Sequence, residues 1–314
     1  MSSSTSSSSG AAAAGASAAR DEWKVLVALA VVFLLAEAGI RLTERRLSVD
    51  IAHIRGAPEV AARLDDGTRA RDVLVLGNSS ARAGIDATLL ARQLDAVGRR
   101  STRIHFFYPD GGNIGVWRWA WRRYFAPPVK QPDLVLVCGA KSHFDDIAPK
   151  PVISAGCFVS AKDTPAFLSG ELHSLESRLE FLLAKASLSF VHRERVQRRV
   201  LDMLMPHNRE VLGAMAASAA LSAPHSEGSA RLAALLADLK AAHTRAIVVT
   251  LPSVTPYDVP GSRIAVIQES AARWIDLRRV PGITPRDFHD GAHLNPDGAV
   301  KLTSALAQAL ADHD

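Results

Sequence analysis

DVLVLGNSS, residues 72–80, carries four apolar residues, Val73 to Leu76, straight into a polar turn of Gly77, Asn78, Ser79 and Ser80. A continuous apolar run of this length, bounded by turn formers, suits a strand buried on both faces of a parallel sheet. The turn has two readings. Locally, Gly and Asn tolerate tight-turn dihedrals and Ser caps a following helix. Chemically, ligands of an open parallel sheet bind beyond the carboxyl ends of its strands, so a serine at that position meets a substrate.

Three further runs have the same character: RIHFFY (103–108), DLVLVCG (133–139) and AIVVTLP (246–252). Between and before them lie helical patterns, DATLLARQLDAV (86–97), NIGVWRWAWRRYF (113–125) and ARLAALLADLKAAH (230–243). Strand–helix–strand alternation at this spacing predicts right-handed crossovers and a parallel sheet covered by helices, so the fold class is α/β. From about 144 to 229 the alternation stops and long helical stretches take over, such as LESRLEFLLAKASLSFVHRERVQRRVLDML (175–204). An insertion placed after a sheet strand either walls the ligand edge as a lid or only adds core.

The chain has 314 residues, enough for one large domain or two small ones. Its charge is modestly basic, with 37 Lys and Arg against 32 Asp and Glu, spread along the chain. No zinc-finger spacing, RNA-binding signature or long basic run is present, so a nucleic-acid reader is not expected. Two cysteines, Cys138 in a strand candidate and Cys157 in a loop, exclude a disulfide framework.

Residues 1–22 begin as Ser/Ala/Gly of low complexity and read as a disordered tail. WKVLVALAVVFLLAEAGI (23–40) follows, close to the roughly 20 residues that a bilayer-spanning helix needs. It reads as an uncleaved signal anchor, a signal peptide cut at Ala36-Glu37-Ala38, or a buried amphipathic helix. The long, partly acidic tail before it favours the anchor. Arg41, Arg45 and Arg46 after the span lean towards a cytoplasmic domain. A single N-terminal anchor usually leads an exported domain, and the periplasmic side is therefore expected. Residues 41–70 read as a juxtamembrane helix and linker, broken by Gly56, Pro58 and Gly67, with the folded domain, 71–314, starting near Arg71.

Near the other end, DFHDGAHLNPDG (287–298) places Asp290 three residues before His293, a spacing that in a tight turn brings a carboxylate against the ring. Asn295 and Pro296 then read as N-cap and first position of the last helix. If this loop and the Gly77–Ser80 turn share the carboxyl edge, serine, histidine and aspartate meet there. A serine hydroxyl needs a base near neutral pH, imidazole suits that task, and a carboxylate fixes its tautomer.

Strand-Gly-Asn-Ser early, a Gly-rich turn after the second strand and Asp-x-x-His near the C-terminus resemble the SGNH (GDSL-type) hydrolase superfamily. The resemblance spans roughly residues 72–310 without the insertion. It implies a three-layer α/β/α fold on about five parallel strands, ester chemistry, Ser79 as nucleophile, and Asp290 and His293 in the final block. It also implies an oxyanion hole from the Ser79 amide, Gly111 or Gly112 of YPDGGNIG (108–115), and an asparagine of a third block. Here that block reads Gly139-Ala140-Lys141-Ser142-His143, with no asparagine; Asn113, Ser142 or a hydrated backbone group are the candidate substitutes. Losing one such donor costs about 2.7–4 kcal/mol of transition-state stabilisation.

No phosphate-binding loop, dinucleotide fingerprint or G-x-S-x-G elbow is present, and no cofactor is expected. His143, Asp145, Asp146, His289 and His293 match no strong metal spacing, so no metal site is expected either. Trp117, Trp119 and Trp121 with Arg118, Arg122 and Arg123 suit either a glycan platform or, more simply, a helix with one buried face and basic residues snorkelling outward. The expected function is a membrane-anchored serine esterase or O-acyltransferase acting on an acylated envelope glycan or related ester. A catalytically weak subunit with envelope protein partners, and a lipase or thioesterase, are the alternatives. Anchored SGNH-like domains of this kind are similar to polysaccharide O-acetyltransferases.

Overall fold

The computed structural model describes residues 9–64, 66–98, 100–127, 129–205 and 228–312. Five strands form one sheet: β1 Arg71–Leu76, β2 Thr102–Phe107, β3 Leu134–Gly139, β4 Arg245–Thr250 and β5 Arg273–Asp276, in the order β2-β1-β3-β4-β5 with every pair parallel. The four strands expected from apolar runs are present. β5 has no such run, because only Trp274 and Ile275 of its four residues are apolar at the sheet edge.

Successive side chains of the central strands feed opposite cores, as the period of two requires. Leu74, Leu76, Val135, Val137 and Val248 pack on one face; Val73, Val75, Leu134, Leu136 and Val249 pack on the other. The helices are α1 Ser9–Thr43, α2 Val49–Arg55, α3 Ala57–Leu64, α4 Ser79–Gly84, α5 Ala87–Val97, α6 Ile114–Ala120, α7 Pro151–Ile153, α8 Thr164–Gly170, α9 Leu175–Ala186, α10 Leu188–Leu204, α11 Ala230–Ala241, α12 Gly261–Glu269 and α13 Pro296–Ala311. They cover both faces, giving the α/β/α layering that the resemblance implies. α5 and α13 pack together over one face, while α6, α11 and the insertion helices cover the other.

The segment 41–70 is more than a linker. Its helices α2 and α3 sink Ile51, Ile54, Ala57 and Leu64 fully into the core, so the packed body begins near Val49 rather than Arg71. The breakers sit at the joint, with Gly56 capping α2 before Ala57 and Pro58 open α3. Nor is the low-complexity tail wholly irregular. α1 extends back to Ser9 through an alanine-rich stretch, in keeping with the high helix propensity of Ala; residues 1–8 lie outside the described residues.

α1 leaves its apolar side chains unburied by the rest of the molecule, with Leu29, Val32, Phe33, Leu34 and Leu35 all exposed. Glu37 is the exception. Its carboxylate is buried and accepts hydrogen bonds from Ser187 Oγ (3.0 Å) and from the Leu188 (2.8 Å) and Ser189 (3.0 Å) amides at the start of α10, with Arg41 paired to it at 2.9 Å. The insertion is helical from α7 to α10, and residues 206–227 lie outside the described residues. Trp117, Trp119 and Trp121 are buried, Arg118 pairs with Asp238 (3.0 Å) and Arg122 with Asp163 (2.6 Å). The three indoles are therefore core, not a glycan platform.

Candidate active site

β1 ends at Leu76, and Gly77-Asn78 turns the chain into α4, whose first residue is Ser79. Buried Asn78 is the helix N-cap: its Oδ1 accepts from the Ser80 amide (2.9 Å) and the Ala81 amide (3.4 Å). Its Nδ2 donates to the Gly112 carbonyl at 3.3 Å, tying the serine turn to the loop after β2. The Trp117 indole N–H adds a second tie by donating to the Gly77 carbonyl at 2.6 Å. A Cβ on Gly112 would lie 2.9 Å from both the Pro109 carbonyl oxygen and Trp117 Nε1, so only glycine fits between the two loops.

The expected oxyanion donors part company here. The Gly112 amide donates to the Pro109 carbonyl at 2.9 Å, and the Asn113 side chain accepts from the Val116 amide at 3.1 Å as N-cap of α6. Gly112 is thus committed within its own turn, and Asn113 serves α6 through Oδ1. Gly111, held at φ +66°, and Ser79 have amides without a hydrogen-bond partner among the described residues. The Ser142 side chain lies outside the described residues.

Residues that carry no motif hold this loop from the N-terminal side. Asp50 Oδ1 accepts from the Asp110 amide (2.7 Å), His53 Nε2 accepts from the Tyr108 amide (2.9 Å), and the His53 and Tyr108 rings stack at 4.1 Å. Arg82, one turn along α4 from Ser79, pairs with Asp110 at 2.9 Å. Burial, with the nearby Arg82 charge adding to it, pushes the His53 pKa down to about 4, so the ring is a neutral acceptor.

On the C-terminal side, Phe288 and Leu294 form an antiparallel bridge that closes the Asp290–His293 turn. Asp290 Oδ1 accepts from the Ala292 (2.8 Å) and His293 (2.7 Å) amides, and Oδ2 meets His293 Nδ1 at 2.8 Å. Burial raises the Asp290 pKa, but the ring and amide hydrogen bonds outweigh it and bring the value to about 2. With Nδ1–H given to Asp290, the neutral ring keeps its lone pair on Nε2. Asn295 caps α13 by accepting from the Gly298 amide at 3.0 Å, with Pro296 at the first position as its sequence predicts.

Ser79, the first residue of α4, follows the carboxyl end of β1, while Gly111 and His293 lie on the segments that lead from the carboxyl ends of β2 and β5 to the next helices. α4 packs on α13, and a Cβ on Gly84 would meet the Leu302 and Leu294 side chains at 2.8 and 3.4 Å. Among the described residues no hydrogen bond joins Ser79 to His293. Burial lowers the pKa of His143, which stands in the third-block position after β3, against the opposing hydrogen bond to Ala140. His289, Asp290 and His293 each offer a ligand atom within 4.8 Å of the others. A metal held there would compete with the Asp290–His293 hydrogen bond.

No protein-family model and no curated protein matches the chain. Among solved structures it is similar to Axe2, an acetylxylan esterase from Geobacillus stearothermophilus, at 12% identity over 76% of this chain and 93% of that one, with a TM-score of 0.38. It is also similar to protein YXIM_BACsu from Bacillus subtilis, at 12% identity over 79% of this chain and 58% of that one, with a TM-score of 0.40. Likenesses this distant carry no argument about activity, which rests on the site itself.

Proposed function

We propose that the protein is a membrane-anchored serine esterase or O-acyltransferase acting on an acylated envelope glycan or related ester. Ser79 Oγ attacks the acyl carbonyl, His293 Nε2 takes its proton, and Asp290 stabilises the imidazolium that forms. The Ser79 and Gly111 amides receive the developing oxyanion. The alcohol leaves with the proton returned by His293; water then releases the acyl group in a hydrolase, or a sugar hydroxyl takes it in a transferase. The observation that supports this reading is the Asp290–His293 pair, in which ring Nδ1 lies 2.8 Å from Asp290 Oδ2 and Nε2 is left to act as the base. Anchoring is supported by the exposed apolar length of α1 and by Glu37, whose bonds to α10 would be severed by cleavage at Ala36-Glu37-Ala38.

Hydrolysis of p-nitrophenyl acetate by the full chain in detergent tests it. Ser79→Ala and His293→Ala each remove most turnover, and the double variant loses little more, because nucleophile and base act as a unit. Wild-type rates in both variants would refute the assignment. A second reading, a catalytically weak binding subunit, draws on the committed Gly112 amide and the third block without asparagine.

A further inference from the structure

α9 has two apolar faces. Phe181 and Ala184 are buried against the insertion, while Leu175, Leu179, Leu182 and Leu183 recur at helical spacing on the opposite side and are 73, 51, 48 and 54% exposed. A surface helix needs one apolar stripe; a second, unpaired one of four leucines marks an interaction surface.

Its position says what covers it. α9 runs directly into Ser187–Ser189, the groups that Glu37 of α1 holds, so its C-terminal end lies against the exposed apolar helix. At the same joint a cleft is lined by Arg41, Arg55, Arg123 and Lys185, flanked by Ala184 and Leu188; Glu37 pairs with Arg41 and Glu44 with Arg55, each at 2.9 Å, which leaves the cleft a net positive charge from Arg123 and Lys185. Basic side chains beside exposed leucines match an anionic lipid surface, with phosphates at the cleft and acyl chains at the stripe.

We propose that the leucine face of α9 and the adjoining basic cleft form a membrane-seated surface that beds the domain into an anionic bilayer beside α1. This rests on the anchoring of α1 proposed above. The bilayer then fixes the height and tilt of the domain, in addition to tethering it.

The test uses the full chain in vesicles of phosphatidylcholine with phosphatidylglycerol, carrying an environment-sensitive label at Leu179→Cys, Leu183→Cys, Leu34→Cys or Val97→Cys. Cys138 and Cys157 are buried, and the unsubstituted chain measures their background labelling. Brominated lipid should quench the α9 labels several-fold more than the Val97 label on exposed α5, at a shallower depth than the Leu34 label. Replacing phosphatidylglycerol by phosphatidylcholine should weaken that quenching. Quenching of the α9 labels by aqueous iodide alone, with Leu34 still quenched by lipid, would overturn the bedded surface and leave the anchor standing. Failure of lipid to quench Leu34 would overturn the anchor and this proposal together. Shielding of the α9 labels from both quenchers would assign the stripe to a protein partner or second copy and overturn it as well.

Discussion

Asp290 grips His293 twice, accepting its backbone amide at 2.7 Å and its ring Nδ1 at 2.8 Å. One carboxylate thus fixes where the residue sits and which nitrogen carries the proton. Asp290→Asn keeps the acceptor for the amide but presents a competing donor to the ring. Activity on p-nitrophenyl acetate should fall by about 10²–10⁴-fold with little change in folding, measured as kcat against thermal midpoint. An unchanged kcat would detach Asp290 from the chemistry.

Asn78 links the serine turn to the loop after β2. Asn78→Ala removes the α4 cap and leaves the Gly112 carbonyl without its donor, and should cost about 1–2 kcal/mol in denaturant unfolding. Asn78→Asp keeps the cap and loses the donor. It should restore most of the stability while activity stays lowered, separating capping from loop positioning.

His53 gives the fold a pH dependence of defined sign. Its folded pKa is about 4 against an ordinary value of 6.5, so between those limits the unfolded chain binds a proton that the folded chain does not. Stability contributed by the neutral ring is full above about pH 6.5 and is lost as pH falls towards 4. Denaturation midpoints followed from pH 7 to 4 should decline less steeply in His53→Gln than in the parent. Equal slopes would show that His53 protonates alike in both states.

Glu37 caps α10 from another helix. Glu37→Ala leaves the Ser187 hydroxyl and the Leu188 and Ser189 amides without their acceptor, though Ser187 Oγ still accepts from the Phe190 amide, and should cost about 1–3 kcal/mol. Protease sensitivity should rise at the α9–α10 joint, read by mass spectrometry of early fragments. An unchanged cleavage pattern would mean that α1 is tethered there without docking.

Legibility in the sequence followed the range of the interactions. Val73–Leu76 and Leu134–Val137 announce buried strands because burial on both faces demands unbroken apolar runs. Asp290 and His293 are readable as a pair because three residues in a tight turn suffice to join them. β5 is short and edge-placed, so Trp274 and Ile275 alone give no period. Ile51, Ile54 and Leu64 pack into the core from a segment whose Gly56 and Pro58 suggest only interruption. The ties that set the loop after β2, Asn78 to Gly112, Trp117 to Gly77 and His53 to Tyr108, join residues 34, 40 and 55 positions apart, and no local pattern encodes them. The commitment of the Gly112 amide to Pro109 likewise depends on turn geometry that glycine spacing alone leaves open.

The nucleophile is the centre of the account, and a fluorophosphonate probe followed by peptide mass spectrometry tests it most directly. The full chain in detergent should gain one phosphonyl adduct on the peptide carrying Ser79, and fragmentation should place it on Ser79 rather than Ser80. The adduct should be absent in Ser79→Ala and strongly slowed in His293→Ala, where the base is missing. An adduct on Ser80 or on another residue, or one on Ser79 that forms equally fast without His293, would contradict the assignment.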